Sequence, residues 1–387
     1  MRPEPTPPAH ILRTAESIAA AQIRSGAIAW PDGHVDPWDH VECAMALSAA
    51  GLTRPARRAY RWLRDTQRPD GSWPRTTGGP GTDRPDEIAD HAAESHHAAY
   101  AAVGVWHEFL VTGDSGFAAS MWPVVRRATD WVLGLQTPRG EVAWERDAEG
   151  RPGGFALLSG CSSILHGLRC AIALAELTGE PQPDWELAAG QLGHVLACHP
   201  EAFAEKSRFA MDWYYPVLAG ALRGPAAELR VNGGWDTFVV PGLGSRCVSD
   251  QPWVTVAETC ELALALDACG RGAEARELLR GIGAQRHEDG SYWTGWQFAN
   301  QAHYPDERSS WTAAAVILAA DALTGFSGGA AIFRDAAAPR LPEAARLPEA
   351  PRLPEAARLP EAAGQAGGWT SPAPADPGAC GCTPARV

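Results

Sequence analysis

Lysine is nearly missing from this chain: Lys206 stands alone against 32 arginines, and the net charge is −13. An acidic chain of this kind has no general attraction for nucleic acid or for an anionic membrane. Apolar runs stop short of the roughly 18 residues that a membrane span needs. The start, Met1-Arg-Pro-Glu-Pro-Thr-Pro-Pro, lacks the apolar core of a signal peptide and reads as a disordered lead-in, residues 1–9. The nine cysteines are an odd number. Six of them (Cys43, Cys161, Cys170, Cys198, Cys260, Cys269) fall within or beside helical runs, where a free thiol is usually a small buried hydrophobe. That usage points to a reducing, cytoplasmic location. No segment alternates at period two, which argues against a β fold.

What is present is a repeated turn. A helical run, Ala56 to Thr66, is followed by Gln67-Arg-Pro-Asp-Gly71-Ser-Trp73. Pro fixes φ, Asp bonds back to the local backbone and Gly takes positive φ, so the helix stops there. Trp73 supplies a large apolar plate. Gln285…Gly290-Ser-Tyr-Trp293 is a copy one residue longer, and Gln136…Gly140…Trp144 a looser one. Trp30-Pro-Asp-Gly33 and Asn232-Gly-Gly-Trp235 are partial copies.

Around these turns six helical hairpins are predicted: Ile11–Arg24 with Trp38–Ala50, Pro55–Thr66 with His91–Leu110, and Phe117–Leu135 with Gly160–Leu177. Trp185–Cys198 with Trp213–Leu222, a weak Pro225–Arg230 with Trp253–Cys269, and Ala273–Ile282 with Ser309–Leu323 complete the set. The second helix of each pair is the more apolar, as a buried inner helix should be. The fold class is therefore all-α, an (α/α)6 toroid over residues 10–325. From 326 to 387 the chain reads as a disordered tail. It carries Arg-Leu-Pro-Glu-Ala-Ala from Arg340 and close copies from Arg346, Arg352 and Arg358, where a Pro in each copy prevents a continuous helix. Cys380 and Cys382 near its end have the spacing of a soft-metal pair, and two thiols on a tail are more simply unstructured. Nothing in the tail identifies a protein partner.

In such a toroid the N-termini of all inner helices crowd one mouth. The sequence places there Asp36, Trp38, Asp39, His40 and Glu42; Asp90, Glu94 and His97; Asp212, Trp213, Tyr214 and Tyr215; Trp253 and Glu258; and Tyr292, Arg308 and Trp311. Asp36 before Pro37 has the form of a helix N-cap, and Asp39 at the third position suits the helix dipole. Capping accounts for single aspartates but not for the aromatics that accompany them. Asp90, Glu94 and His97 at i, i+4 and i+7 would share one helix face, able to hold a metal or an acid–base pair, though a satisfied core histidine is the commoner outcome. No cofactor or metal is otherwise called for.

A Gln followed by Gly and Trp after an outer helix resembles the repeat of the terpenoid cyclase and protein prenyltransferase superfamily, squalene–hopene cyclases among them. That resemblance implies an isoprenoid substrate in the central cavity and carboxylate acid catalysis, with Asp36, Asp39, Glu42, Asp90, Glu94, Asp212 and Glu258 as the candidate acids or bases. Trp38, His40, His97, Trp213, Tyr214, Tyr215, Trp253, Tyr292, Arg308 and Trp311 would line the substrate. The Asp-x-Asp-Asp acid motif of the cyclases is absent, and Glu258-Thr-Cys260 with His303 only echoes the zinc set of the transferases. The alternative is a carbohydrate-active hydrolase or lyase, in which two carboxylates act on a glycosidic bond and Trp and Tyr faces stack on sugar rings. The third is a binding toroid without catalysis. The isoprenoid enzyme is the first expectation.

Overall fold

The computed structural model describes residues 7–80 and 87–339. Twelve α-helices occur among them: α1 (Ala9–Ala21), α2 (Pro37–Ala49), α3 (Thr53–Thr66), α4 (Ser95–Thr112), α5 (Ser115–Leu133), α6 (Leu158–Thr178), α7 (Pro183–Cys198), α8 (Ala210–Leu218), α9 (Gly224–Phe238), α10 (Val256–Ala268), α11 (Gly272–Gly281) and α12 (Ser310–Thr324). The even-numbered helices pack in a closed ring, α2–α4–α6–α8–α10–α12, with α12 returning to α2. The odd-numbered helices cover it, α1 lying against α12 and α2 to close the outer layer. This is an (α/α)6 toroid.

The division into layers follows from the side chains. In α12 the run Ala313–Ala319 is buried throughout, so this helix is enclosed on every side. In α3 only Ala56, Ala59, Tyr60, Trp62 and Leu63 are buried, and Arg54, Arg58, Arg61 and Arg64 are exposed. α6 is long and apolar enough to cross a membrane by length and composition, but it is a mostly buried inner helix of the ring.

The repeated turn stitches the outer layer. The Gln22 amide nitrogen donates to the carbonyls of Gly26 and of Pro55 on α3. Gln67 does the same to Gly71 and to Val124 on α5, and Gln136 to Gly140 and to Ala188 on α7, at 2.9–3.0 Å. Gly26, Gly71, Gly140 and Gly290 all have positive φ. A Cβ at any of them would meet a carbonyl oxygen of the next outer helix (Arg58, Arg127, Gln191 and Arg13 in turn) at 3.0 Å or closer. Glycine here is a requirement of helix-to-turn contact. Trp73 is buried behind its turn, its indole N–H donating to the Leu63 carbonyl at 2.8 Å.

The two ends of the barrel differ. At the base, inner helices pass to outer ones through two to five residues, and all six inner helices stop at a left-handed glycine (Gly51, Gly113, Gly179, Gly220, Gly270, Gly325). Residues 326–339, expected as the start of a disordered tail, instead fold across this base. Phe326, Ile332, Phe333 and Ala336 are buried, the Phe333 ring lies against His166, and Arg169 and Arg223 donate to the Ala336 and Phe333 carbonyls. Arg334 pairs with Asp267 at the end of α10. The predicted boundary at 325 was therefore too early, because a short apolar cluster was hidden in an alanine-rich stretch. Residues 1–6 and 340–387, with the Arg-Leu-Pro-Glu-Ala-Ala copies and Cys380 and Cys382, lie outside the described residues.

At the mouth, ten short strands among the described residues occupy the outer-to-inner connections. β1 (His34–Val35), β2 (Thr76–Gly78) and β3 (Ile88–Asp90) form one antiparallel sheet, and β4 (Ala93–Glu94) pairs with β5 (Glu145–Arg146). β6 (Val239–Val240), β7 (Gly244–Arg246), β8 (Trp253–Thr255), β9 (Gly295–Gln297) and β10 (Ala302–His303) form a five-stranded antiparallel sheet in the order β10-β9-β8-β7-β6. Strands of two or three residues show no alternation in sequence, so their absence from the prediction has a simple cause.

Two predicted features are corrected by the helices. Asn232-Gly-Gly-Trp235 is not a turn but part of the continuous helix α9. Gly234 is needed there because a Cβ would run into the Trp213 indole. Asp90 is not on the second inner helix but on β3, so Asp90, Glu94 and His97 do not share a helix face.

Candidate active site

The barrel interior near the mouth carries carboxylates at two levels. The deeper level holds Glu42 on α2 and Glu261 on α10. Glu42 accepts from the Tyr100 hydroxyl at 2.7 Å and from the Trp311 indole N–H at 2.8 Å. Burial pushes its carboxyl up to about 7 against the pull of these two donors. Glu261 accepts from the Tyr214 hydroxyl and, at 2.7 Å, from the Tyr215 hydroxyl. Burial, with the Glu42 charge second, holds its carboxyl well above the usual range. Trp38 fills the space between the walls, edge-on to Tyr100 at 5.2 Å and to Tyr215 at 5.8 Å. At this level both carboxylates are satisfied by aromatic donors.

One turn nearer the mouth lie Asp39 on α2, Glu258 on α10 and Asp212 on α8. Asp36 caps α2, its Oδ1 accepting from the Asp39 N–H at 2.9 Å. Asp39 Oδ2 accepts from the Trp30 indole at 2.7 Å. Burial first, and the neighbouring Asp36 charge second, hold the Asp39 carboxyl well above the usual range. The Glu258 carboxylate is buried and accepts from the Thr255 hydroxyl. Asp212 is buried with one carboxylate oxygen lacking any hydrogen-bond partner among the described residues. Burial raises it to about 6, with the Ser159 backbone opposing.

A third group lies on the wall made by α4. His97 Nε2 is 3.5 Å from Glu94 Oε2 and 3.9 Å from Asp36 Oδ1, and His96 Nδ1 is 3.5 Å from the same Glu94 oxygen. The other Glu94 oxygen takes Arg75 Nε at 2.6 Å. His96 stacks on Trp144 at 4.3 Å, and burial drives its pKa well below the usual value, so its ring is neutral. Glu94, His96 and His97 are the one set of His, Cys, Asp or Glu among the described residues with spacing suited to a metal ion. Cys260 and His303, the echo of a zinc set, are not brought together in such a group.

Some predicted residues are elsewhere. His40 faces outward between α2 and α3. Its Nδ1 accepts from the Ile28 N–H, its Nε2 meets the Ala59 carbonyl, and its ring lies on Trp62. Trp213 turns to α9, donating to the Arg230 carbonyl and stacking on Phe238 at 5.3 Å. Tyr292 is buried in the last repeated turn, where burial pushes its hydroxyl up to about 12. Arg308 is held by Asp289, His287 and Ser291 beside an 850 Å³ cleft between α1 and α12. Asp90 is tied to Arg75 at 2.6 Å. Trp253 stands on the rim. Trp38, Tyr214, Tyr215 and Trp311 meet the two deep carboxylates or each other.

Sequence reading missed Glu261, Tyr100, Trp30, Trp144 and Arg75. For Glu261 a signal existed: Glu258 and Glu261 repeat at i, i+3 the spacing of Asp39 and Glu42. For the others only the fold supplies the neighbourhood.

Two carboxylate levels in an aromatic barrel suit acid–base cleavage of a glycosidic bond, with rings to stack on sugars. The comparisons agree. No family model matches the chain. It is 55% identical over 337 residues to the MMP endo-(1,4)-3-O-methyl-alpha-D-mannosidase of Mycolicibacterium hassiacum, covering 86% of this chain and 91% of that protein. Among solved structures, a wild-type glycosidase superposes with a TM-score of 0.64 at 16% identity, over 82% of this chain and 97% of that one. A GH63 mannosylglycerate hydrolase from Thermus thermophilus gives 0.61 at 15% identity, over 79% and 99%. A D-mannose isomerase gives 0.60 at 13%, over 80% and 95%. At such identity the structures show a shared toroid only. The 55% relative overturns the expectation of a terpenoid cyclase or prenyltransferase. The Gln and Gly of the turn that suggested it stitch the outer helices together, so that part of the motif reports architecture and not chemistry. The chain belongs to the family of the MMP endo-(1,4)-3-O-methyl-alpha-D-mannosidase, an enzyme family of glycosidases.

Proposed function

We propose that this chain hydrolyses internal α-(1→4) bonds in a chain of 3-O-methylated mannose, with Asp39 as proton donor and Glu258 as the carboxylate that works on the opposite side of the bond. The carrying observation is the register of the two helices. Glu42 and Glu261, one turn deeper on α2 and α10, interact electrostatically and are saturated by Tyr and Trp donors. Their i−3 neighbours Asp39 and Glu258 lie one turn nearer the mouth, on two inner helices that flank α12. Burial, and then the Asp36 charge, hold the Asp39 carboxyl well above the usual carboxylate range, the direction that suits a general acid. Cleavage breaks the C1–O bond and the Asp39 proton goes to the leaving oxygen. Glu258 either deprotonates the water that attacks C1, or attacks C1 itself to form a glycosyl ester that water, deprotonated by Asp39, then cleaves to free Glu258.

The substrate class rests on the relative's name and on the lining. Methyl ethers present more apolar surface than free hydroxyls, and Trp38, Tyr100, Trp144, Tyr215 and Trp311 supply an aromatic wall suited to them.

A second reading of the donor has its own observation. The unpartnered oxygen of Asp212, on a carboxyl raised to about 6, is also poised to give a proton. The test is incubation of the full chain with an α-(1→4) chain of 3-O-methylmannose, products being sized by mass spectrometry. Shorter oligosaccharides from internal cuts are expected, and intact polymer at high enzyme concentration would overturn the proposal. Asp39→Asn and Asp212→Asn, compared on the acid and alkaline limbs of the pH–rate profile, separate the two donors.

A further inference from the structure

The residues described so far account for a scission point but not for the grip on a polymer. Large apolar side chains exposed among the described residues are few, and three of them stand ahead of inner helices at the mouth. Phe155 precedes α6, Phe209 precedes α8 and Tyr304 precedes α12. Of these, Tyr304 borders a formed pocket. A cavity of about 400 Å³ lies against the five-stranded sheet, lined by Gln251, Pro252, Trp253, Gln297, Asn300 and Tyr304, with Val248 at its edge.

Its chemistry is that of a sugar site. Trp253 and Tyr304 meet at 5.4 Å and 78°, forming a corner of two aromatic faces. The Trp253 indole N–H is already bound to the Tyr304 carbonyl at 2.7 Å, which fixes the corner and leaves its rings for stacking. Tyr304 is 57% exposed, so much of its surface faces solvent. Gln297 Oε1 accepts from the Asn300 N–H at 2.7 Å, which leaves its NH2 end as a donor. Asn300 supplies a further amide, with both donors and an acceptor for hydroxyls. Val248 and Pro252 give an apolar flank where a methyl ether fits without leaving a polar group unpaired. Charged residues are absent from this lining, so an ionic ligand has no counter-charge here.

The pocket is also built into the same element as the scission point. β8 carries Trp253 at its outer end and Thr255 at its inner end, Thr255 donates to Glu258, and α10 follows directly. Two strand residues at about 3.3 Å each and one helical turn at about 1.5 Å per residue place the pocket on the order of 11 Å from the Glu258 backbone. A glycan leaving the cavity along β8 meets it.

We infer that this pocket is a distal subsite that holds an O-methylated sugar of the same chain, beyond the bond that is cut. The inference rests on the glycan reading of the cavity. It predicts that kcat/KM rises with substrate length until this subsite is filled. The experiment measures kcat and KM for 3-O-methylmannose oligosaccharides of increasing length with the full chain and with Tyr304→Ala, Asn300→Ala and Tyr304→Phe. Tyr304→Ala and Asn300→Ala should each lower the long-to-short ratio of kcat/KM by about tenfold, through KM. Tyr304→Phe, which keeps the stacking face, should retain the ratio. An unchanged ratio in Tyr304→Ala and Asn300→Ala, with internal cleavage intact, would overturn the subsite and leave the hydrolase reading standing. A uniform loss at every length, with Tyr304→Phe equally impaired, would also overturn it by marking a structural role. Failure of the wild-type chain to cleave any member of the series would instead sink the function on which the inference rests.

Discussion

The outer turns and the inner mouth are built on opposite principles. Around the outside one device is used again and again: a Gln amide tied to its own turn and to the next helix, and a Gly pressed on that helix's backbone. Inside the mouth no two inner helices carry the same set. α2 brings Asp36, Asp39 and Glu42; α4 brings His96, His97 and Tyr100; α8 brings Asp212, Tyr214 and Tyr215; α10 brings Glu258 and Glu261. Repetition marks what every hairpin must do to close a ring, and irregularity marks what only one place must do. A resemblance carried by the repeated part therefore speaks for the fold. The residues that differ from hairpin to hairpin speak for the chemistry.

That contrast can be broken from either side. The largest effect is expected inside: Glu258→Gln and Asp39→Asn should each lower cleavage of the methylated mannan by about 100- to 10,000-fold. Their urea midpoints should stay near that of the parent chain. Cleavage within a few fold of wild type in both would remove them from the chemistry. Next comes the outer ring, where Gly71→Val should cost about 3 kcal/mol or more in urea unfolding. A β-branched residue at φ +100° is strained, and its Cβ meets the Arg127 carbonyl. The surviving folded fraction should keep its turnover number, because this turn lies behind the wall.

Gln67→Ala removes the donor to the Gly71 and Val124 carbonyls and should cost about 1–3 kcal/mol, again with turnover retained. The smallest effect sharpens the comparison within the mouth. Burial raises Asp212 from 3.8 to about 6 in the folded chain, so the folded state binds the extra proton. Stability should then fall as pH rises from about 4 to about 6. Asp212→Asn should flatten that decline and raise the neutral-pH unfolding midpoint by on the order of 2 °C. Thermal melts from pH 4 to pH 7 check this, and an unchanged slope would mean that the carboxyl is solvated.

Much of the architecture was legible because its causes are local. Helical spacing, Pro-Asp-Gly and Gln-to-Gly turns, and glycines after α2, α4, α6 and α12 all act within a few residues. α9 was misread as irregular because Gly233 and Gly234 look like a turn, whereas Gly234 makes room for Trp213, 21 positions earlier in the chain. His40 and Trp213 were placed in the cavity because they stand next to residues that are there. A helix turns about 100° per residue, and one position sends a side chain to the other wall. The base-closing segment 326–339 was missed because its few apolar residues find partners only on several different inner helices.

The sequence alone thus determined that there are six hairpins, which helix of each is inner, and that acids and aromatics collect where the inner helices begin. Periodicity and turn chemistry are properties of neighbours along the chain. Only the tertiary structure decided that Glu42 and Glu261 are both satisfied by aromatic donors while Asp39, Glu258 and Asp212 lie a turn nearer the mouth. It alone set Trp253 and Tyr304 as a corner over a pocket on the rim. Those juxtapositions join residues tens to hundreds of positions apart. Ring closure creates them, together with the burial that shifts the carboxyls.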